Sequence, residues 1–202
     1  VYTGNPRSEE ILKIDKISKR EFGFLEKKKL VLVVMGSLGS TTMTTKLKDA
    51  IEMFEGKDYQ VLIITGKAYY DSYKKIKLPK NVKLLPFTEK LIQIMKDTDL
   101  MVSRAGASTI SEITGIGLPA VLVPSPYVTH NHQFLNAKEL EDAGACKILE
   151  EKDFSGESLC KEIDRILTDD KLYKKMKKAS ETFGIHDSLT KIYREIEKLV
   201  GE

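Results

Sequence analysis

Along this chain, short runs that are apolar at nearly every position alternate with longer stretches where apolar residues recur every three or four positions. Residues 30–35 (LVLVVM) are apolar throughout, the pattern of a strand covered on both faces. Residues 46–54 follow with Leu47, Ala50, Ile51 and Phe54 on one helical face. The same reading places strands at 60–65, 81–85, 99–103, 120–124 and 145–149, and helices at 89–96, 109–116 and 133–143. Gly144 suits the left-handed position that ends the last of these helices.

Three further helices are predicted toward the end, capped in turn by Ser155, by Asp169 or Asp170, and by Asp187. In the last one Leu189, Ile192, Tyr193, Ile196, Leu199 and Val200 form one apolar stripe, which needs a surface to bury it. Strand–helix alternation of this kind implies right-handed crossovers and an α/β fold, a Rossmann-like, doubly wound, mainly parallel sheet. The expected division is a hinge segment and first helix at 1–20, the sheet domain at 21–184, and a C-terminal helix at 185–202.

Composition narrows the class. With 41% hydrophobic and 31% charged residues the chain is globular and not disordered. A net charge of +3, with lysine clusters at 27–29 and 174–178 that lack interleaved aromatics, argues against nucleic acid and for solvated surface. Cys146 and Cys160 have neither CxxC spacing nor a nearby histidine, so two incidental thiols in a reduced, cytoplasmic protein are expected, without a metal. The longest apolar run is too short to span a bilayer. The start at Val1, followed by the turn Thr3-Gly4-Asn5-Pro6, reads as the middle of a longer protein.

Doubly wound sheets bind ligands beyond the carboxyl ends of their strands, and four loops of unusual composition leave such ends. The first, Gly36-Ser37-Leu38-Gly39-Ser40, combines close backbone approach with a helix start that offers amides to a phosphate, although small residues also simply permit a tight turn. It matches neither a Walker loop nor the dinucleotide fingerprint. The second, Pro86-Phe87-Thr88, offers a backbone edge to a base, against the plainer reading of a core phenylalanine at a loop entrance. The third runs through Ser103-Arg104-Ala105-Gly106-Ala107-Ser108-Thr109 to Glu112. Glu112 either accepts both hydroxyls of a ribose from the first turn of a helix or closes a capping box with Thr109. Arg104 either offsets phosphate charge or anchors the loop by a salt bridge. The fourth, from Pro124 to Gln133, is dense in neutral donors and acceptors (His130, Asn131, His132, Gln133) that suit a hydroxyl-rich ligand or a helix-capping network. Asp97-Thr98-Asp99 reads as a polar turn and not as a metal motif.

Thr3-Gly4-Asn5-Pro6-Arg7, Gly36-Ser37-x-Gly39, Ser103-Arg104-Ala105-Gly106-Ala107-Ser108-Thr109-x-x-Glu112 and Asn131-His132-Gln133-x-x-Asn136-Ala137 stand in one order and spacing. Together they resemble the C-terminal domain of the bacterial peptidoglycan N-acetylglucosaminyltransferase family, the MurG type. The resemblance implies one half of a two-domain GT-B glycosyltransferase that moves N-acetylglucosamine from UDP-GlcNAc to lipid I with inversion, giving lipid II. By position it implies Ser37, flanked by Gly36 and Gly39, at the diphosphate and the Thr88 backbone at the uracil. Ala107, Ser108 and Thr109 would lie along the phosphates and sugar, and Glu112 at the ribose. His132 and Gln133 would meet the sugar hydroxyls, and Arg7 would reach the nucleotide from the hinge.

No cofactor and no catalytic base are expected in this half. The resemblance places the acceptor, the base and peripheral attachment to the cytoplasmic face of the membrane with an N-terminal domain outside the chain. This chain alone is therefore expected to be inactive. Two other readings share the architecture: a standalone UDP-sugar-binding subunit serving a separate acceptor-binding protein, and a UDP-GlcNAc epimerase-like domain. A nucleotide-binding domain without sugar selectivity is a third.

Overall fold

The computed structural model describes the chain except for Tyr2, residues 36–40 and Glu202, and leaves out the side chains of Arg7 and Thr41. Among the described residues, β1 (Lys29–Val34), β2 (Tyr59–Ile64), β3 (Val82–Leu85), β4 (Leu100–Ser103), β5 (Ala120–Leu122) and β6 (Cys146–Ile148) form one parallel sheet in the order β3-β2-β1-β4-β5-β6. The order reverses between β1 and β4, which makes that gap the topological switch point of a Rossmann-like fold.

The all-apolar strand runs have a direct cause. Successive side chains of a strand point to opposite faces, and here both faces are covered. Val31, Val33, Val61, Ile63, Val102 and Val121 pack on one side. There they meet α2 (Thr41–Glu52), α3 (Lys67–Tyr73), α7 (Gly156–Thr168) and α8 (Asp170–Phe183). Leu30, Leu32, Leu62, Ile64, Met101 and Leu122 pack on the other. Their partners are α1 (Arg7–Leu12), α4 (Leu91–Met95), α5 (Ala107–Ile116) and α6 (His132–Asp142). Truncating a fully buried member such as Leu62→Ala should cost about 2–5 kcal/mol in chemical denaturation.

The helix ends follow local chemistry. Gly144 adopts φ 82, its N–H reaches Glu141 O at 2.8 Å, and Ala145 N–H reaches Leu140 O at 3.0 Å, so the predicted stop is a full Schellman motif. Ser155 caps α7 reciprocally with Ser158, and Asp169 caps α8. The expected cap of α9 (Ser188–Val200) is different. Asp187 holds the N-cap position without capping through its side chain, and Glu9 Oε2 of α1 instead accepts Leu189 N–H at 2.9 Å. The helix α3 was not predicted, because its sequence KAYYDSY carries no clear apolar period.

At the amino ends of the strands, the carboxylates of 97–99 do structural work. Asp97 accepts the Lys19 backbone N–H at 2.8 Å, and Asp99 accepts both Leu30 N–H and Lys19 Nζ, at 2.8 and 3.1 Å. Along α9, Leu189, Tyr193, Ile196, Leu199 and Val200 are exposed. Ile192 is half-buried and α1 meets the start of the helix, but most of the stripe predicted to need a partner surface is left uncovered by the described residues.

Candidate functional site

Because the strands are parallel and in register, their carboxyl ends line up. Leu85, Ile64, Val34, Ser103, Leu122 and Ile148 stand side by side across the sheet. The loops after β1, β3, β4 and β5 therefore leave one edge. At about 4.8 Å per strand, the turn after β3 stands about 14 Å from the loop after β4. The loop after β1, with Gly36, Ser37 and Gly39, lies outside the described residues.

The start of α5 is the most open feature of this edge. Its N-cap is Gly106, in an extended conformation, and no side chain caps it. The first intrahelical bond runs from Ile110 N–H to Gly106 O at 2.9 Å, so the amides of Ala107, Ser108 and Thr109 have no partner within the helix. Ala107 and Ser108 are exposed and Thr109 half-buried. Three outward amides at the positive end of a ten-residue helix are suited to an anion.

The helix also begins two residues earlier than the sequence pattern predicts, and this removes the capping-box reading. Thr109 sits inside the first turn and cannot be the N-cap. Glu112 stands in the second turn and not the first, half-buried, four residues along the same face from Ser108.

The loop after β5 is braced from several sides. His130 and Asn131 both adopt left-handed backbone, at φ 53 and 52, a strain of about 1–3 kcal/mol each for residues with side chains. His132 Nδ1 donates to Thr129 O at 2.8 Å, which in the neutral ring leaves Nε2 as an outward acceptor. Gln133 Oε1 accepts the Ser125 N–H at 2.9 Å, and Asn136 Nδ2 reaches Ala105 O at 3.4 Å. His132 and Gln133 thus hold their own loop, each spending one of its polar atoms, but neither caps α6, so the contacts are not the helix-capping network of the plainer reading.

Arg104 also points into structure. Its Nη1 donates to Val123 O and Pro124 O at 3.1 and 3.2 Å, and its Nη2 pairs with Glu151 Oε2 at 2.7 Å. The salt-bridge reading of Arg104 therefore holds. Glu151 was missed in the sequence. It lies beyond β6, in a stretch with no composition signal, and only the unassigned charge of Arg104 pointed to a partner.

Thr88 lies in the turn after β3, where its Oγ1 accepts Lys90 N–H at 3.0 Å. The adjacent Phe87 is not the core residue of the plainer reading. It is 50% exposed, with Lys67 Nζ 4.7 Å from its ring centre. Arg7 begins α1, in a segment that meets α5: Gly4, Asn5 and Ser8 line a cavity of about 70 Å³ with Ile110, Ser111 and Thr114. The direction of its side chain lies outside the description.

A hollow of about 250 Å³ lies between α6 and the segment after β6, lined by Phe134, Lys138, Ile148 and Asp153, and two larger ones stand elsewhere. One of about 440 Å³ lies between Ala143 and the Lys175–Phe183 face of α8, and one of about 350 Å³ lies beside Lys27–Lys29 and Tyr59. Both are at the amino-end side of the sheet, away from the switch point, so size does not identify the site here. Cys146 and Cys160 are buried free thiols, and burial pushes the Cys146 thiol up to about 12. Neither is a nucleophile near neutral pH.

Comparison with known proteins agrees with this geometry. The model of the glycosyltransferase family 28 C-terminal domain matches residues 30–192. A Bacillus cereus protein named UDP-N-acetylglucosamine–N-acetylmuramyl-(pentapeptide) pyrophosphoryl-undecaprenol N-acetylglucosamine transferase 1 is 42% identical, over 99% of this chain and 56% of its own length. A Bacillus subtilis protein named as the same transferase is 39% identical over 98% and 56%. The crystal structure of Acinetobacter baumannii MurG superposes with a TM-score of 0.76 at 27% identity, covering 93% of this chain and 55% of that one. The chain spans about half the length of the curated relatives it matches. With the family model matching most of its length and the open helix start at the switch point, this chain belongs to glycosyltransferase family 28 and carries that family's C-terminal domain.

Proposed function

We propose that this chain is the donor half of an inverting GT-B glycosyltransferase, holding UDP-GlcNAc for transfer of N-acetylglucosamine to lipid I. The carrying observation is the uncapped start of α5 at the switch point, where the amides of Ala107, Ser108 and Thr109 face outward. They receive the diphosphate, together with Ser37 and its flanking Gly36 and Gly39. The backbone at Thr88 pairs with the uracil edge and Glu112 takes the ribose hydroxyls. His132 Nε2 and the Gln133 amide meet the sugar, and Arg7 approaches the nucleotide from the hinge. On departure of UDP, the α5 amides stabilise the leaving diphosphate's charge.

Inversion also needs a base that deprotonates the acceptor hydroxyl. In this reading the base, the lipid I site and the peripheral attachment to the cytoplasmic membrane face belong to an N-terminal domain. The length of the relatives and the exposed stripe of α9 support that arrangement, with α9 packing on the second domain. Among the described residues, no helix is long and apolar enough to cross a membrane.

Calorimetry with UDP-GlcNAc, UDP and ADP tests the donor assignment. UDP and UDP-GlcNAc should bind and ADP should be weaker by at least about tenfold, the worth of one or two hydrogen bonds to the base. Equal affinity for ADP would remove the uridine assignment. Turnover of a lipid I analogue by this chain alone would place the base here and overturn the division of labour.

A further inference from the structure

We infer that Arg104 and Glu151 are positioning residues that set the domain's preference for the sugar, acting through the loop after β5 and not through the diphosphate. The inference rests on the donor reading above and adds to it a determinant outside the ligand-contacting set.

Arg104 follows the last residue of β4, directly before the open amides of α5, where a free guanidinium would strengthen an anion site. The geometry spends it otherwise. Its side chain is 11% exposed and that of Glu151 is 5% exposed, and the two meet at 2.7 Å. The other nitrogen holds the carbonyls of Val123 and Pro124. Those residues begin the loop that carries His132 and Gln133. The next residue, Ser125, gives its N–H to Gln133 Oε1. One end of the loop is thus fixed by Arg104, and that fixed end sets where Gln133 lies.

Glu151 is itself anchored, its carbonyl accepting from Lys46 Nζ on α2. Its Oε1 is buried without a hydrogen-bond partner, so Arg104 supplies the carboxylate's one hydrogen-bonded cation among the described residues. A buried ion pair is weak evidence for stability, since desolvation consumes most of its attraction. This pair joins the segments after β4, β5 and β6, and its charges cancel next to an anion site. Both facts fit a device that orients a loop and does not attract phosphate.

The test compares UDP with UDP-GlcNAc by calorimetry on the whole chain, for wild type, Arg104→Lys and Glu151→Gln, with melting temperatures alongside. Lysine keeps the charge against Glu151 but cannot also clamp the Val123 and Pro124 carbonyls. For R104K, UDP affinity should stay within about twofold of wild type, while the UDP-GlcNAc-to-UDP affinity ratio falls about tenfold, the equivalent of one or two lost hydrogen bonds. Glutamine keeps an acceptor for Arg104, so E151Q should retain the ratio. An unchanged ratio in R104K overturns the inference, as does an equal loss of both ligands, which would put Arg104 on the diphosphate. Wild type that binds neither ligand would overturn the donor reading itself, a result distinct from the other two.

Discussion

Two helices of this domain begin in opposite ways. α8 starts at the amino-end side of the sheet, near Lys29, and opens on Asp169, whose Oδ1 accepts the N–H groups of Lys171 and Leu172 at 3.0 Å each. α5 starts at the carboxyl-end side and opens on Gly106, which has no side chain to offer. A capping side chain is worth about 0.5–2 kcal/mol, and leaving it out forgoes part of that stability. The omission makes sense where another group completes the helix start. α6, at the same edge, likewise has no side-chain cap and enters through the strained pair His130–Asn131. α7 is capped by Ser155. Among the longer helices, α5 and α6, which begin at the loop row on either side of β5, are left without a side-chain cap, as are the short α1, α3 and α4, whereas α7 and α8 carry one.

The sharpest way to break this comparison is to give α5 the cap it lacks. Gly106 has φ −70 and ψ 146, which any residue adopts, and a Cβ there would approach no closer than 3.9 Å to Thr109 Oγ1. Gly106→Asp should fit, cap its own helix, and raise stability by a few tenths of a kcal/mol. It should also put a carboxylate where the diphosphate belongs, and cut UDP affinity by more than about tenfold, or about 1.4 kcal/mol. Calorimetry and thermal melting on the same sample read both effects. UDP affinity that survives the change would show that the open amides are incidental. The converse, Asp169→Ala, should cost about 1 kcal/mol and lower Tm by about 2–4 °C with no change in UDP binding. A change in UDP binding there would show that capping and function are not separated as proposed.

How much of this was legible in sequence follows the same line. The strands announced themselves because burial on both faces leaves no polar positions, as in 30–35. Ser155, Asp169 and Gly144 were readable because a closed helix end carries its own side chain or its own glycine. An open end carries no such mark, so the sequence pattern starts α5 two residues late and leaves Glu112 between a ribose contact and a capping box. The cap of α9 was misassigned for a related reason: Glu9 is about 180 residues away and no local pattern reports it. Arg104 was visible as a charge, but its partner Glu151, 47 residues on, is a matter of tertiary placement. α3 carried no usable period at all.

A third helix start, that of α9, sharpens the comparison from the side of stability. It is closed, but by a neighbour, and the body of the helix contributes little to the core: Tyr193 is 62% exposed and Leu199 79%. Removing residues 190–202 keeps Ser188, Leu189 and the Glu9 contact. Tm should then move by less than about 2 °C, well below the loss expected from a buried helix of that length. A fall of several degrees would place α9 in this domain's core and leave the exposed stripe without its proposed role against a second domain.

The smallest expected effect concerns Asp187, at the same helix start. Its carboxyl is held below its ordinary value of 3.8, chiefly by the hydrogen bond to Lys191, whose Nζ is 2.9 Å away. A lowered folded-state value means that the stabilisation is present above 3.8 and is lost as pH falls through the folded value. The pair stands at the surface, so the change should be local and should shrink further at high salt. Amide chemical shifts of the first two turns of α9, followed from about pH 5 to about pH 2, should show a step in wild type that is smaller in Asp187→Asn. If the step is undiminished in Asp187→Asn, the acid sensitivity belongs to another group, and α9 is held at its start by the Glu9 contact.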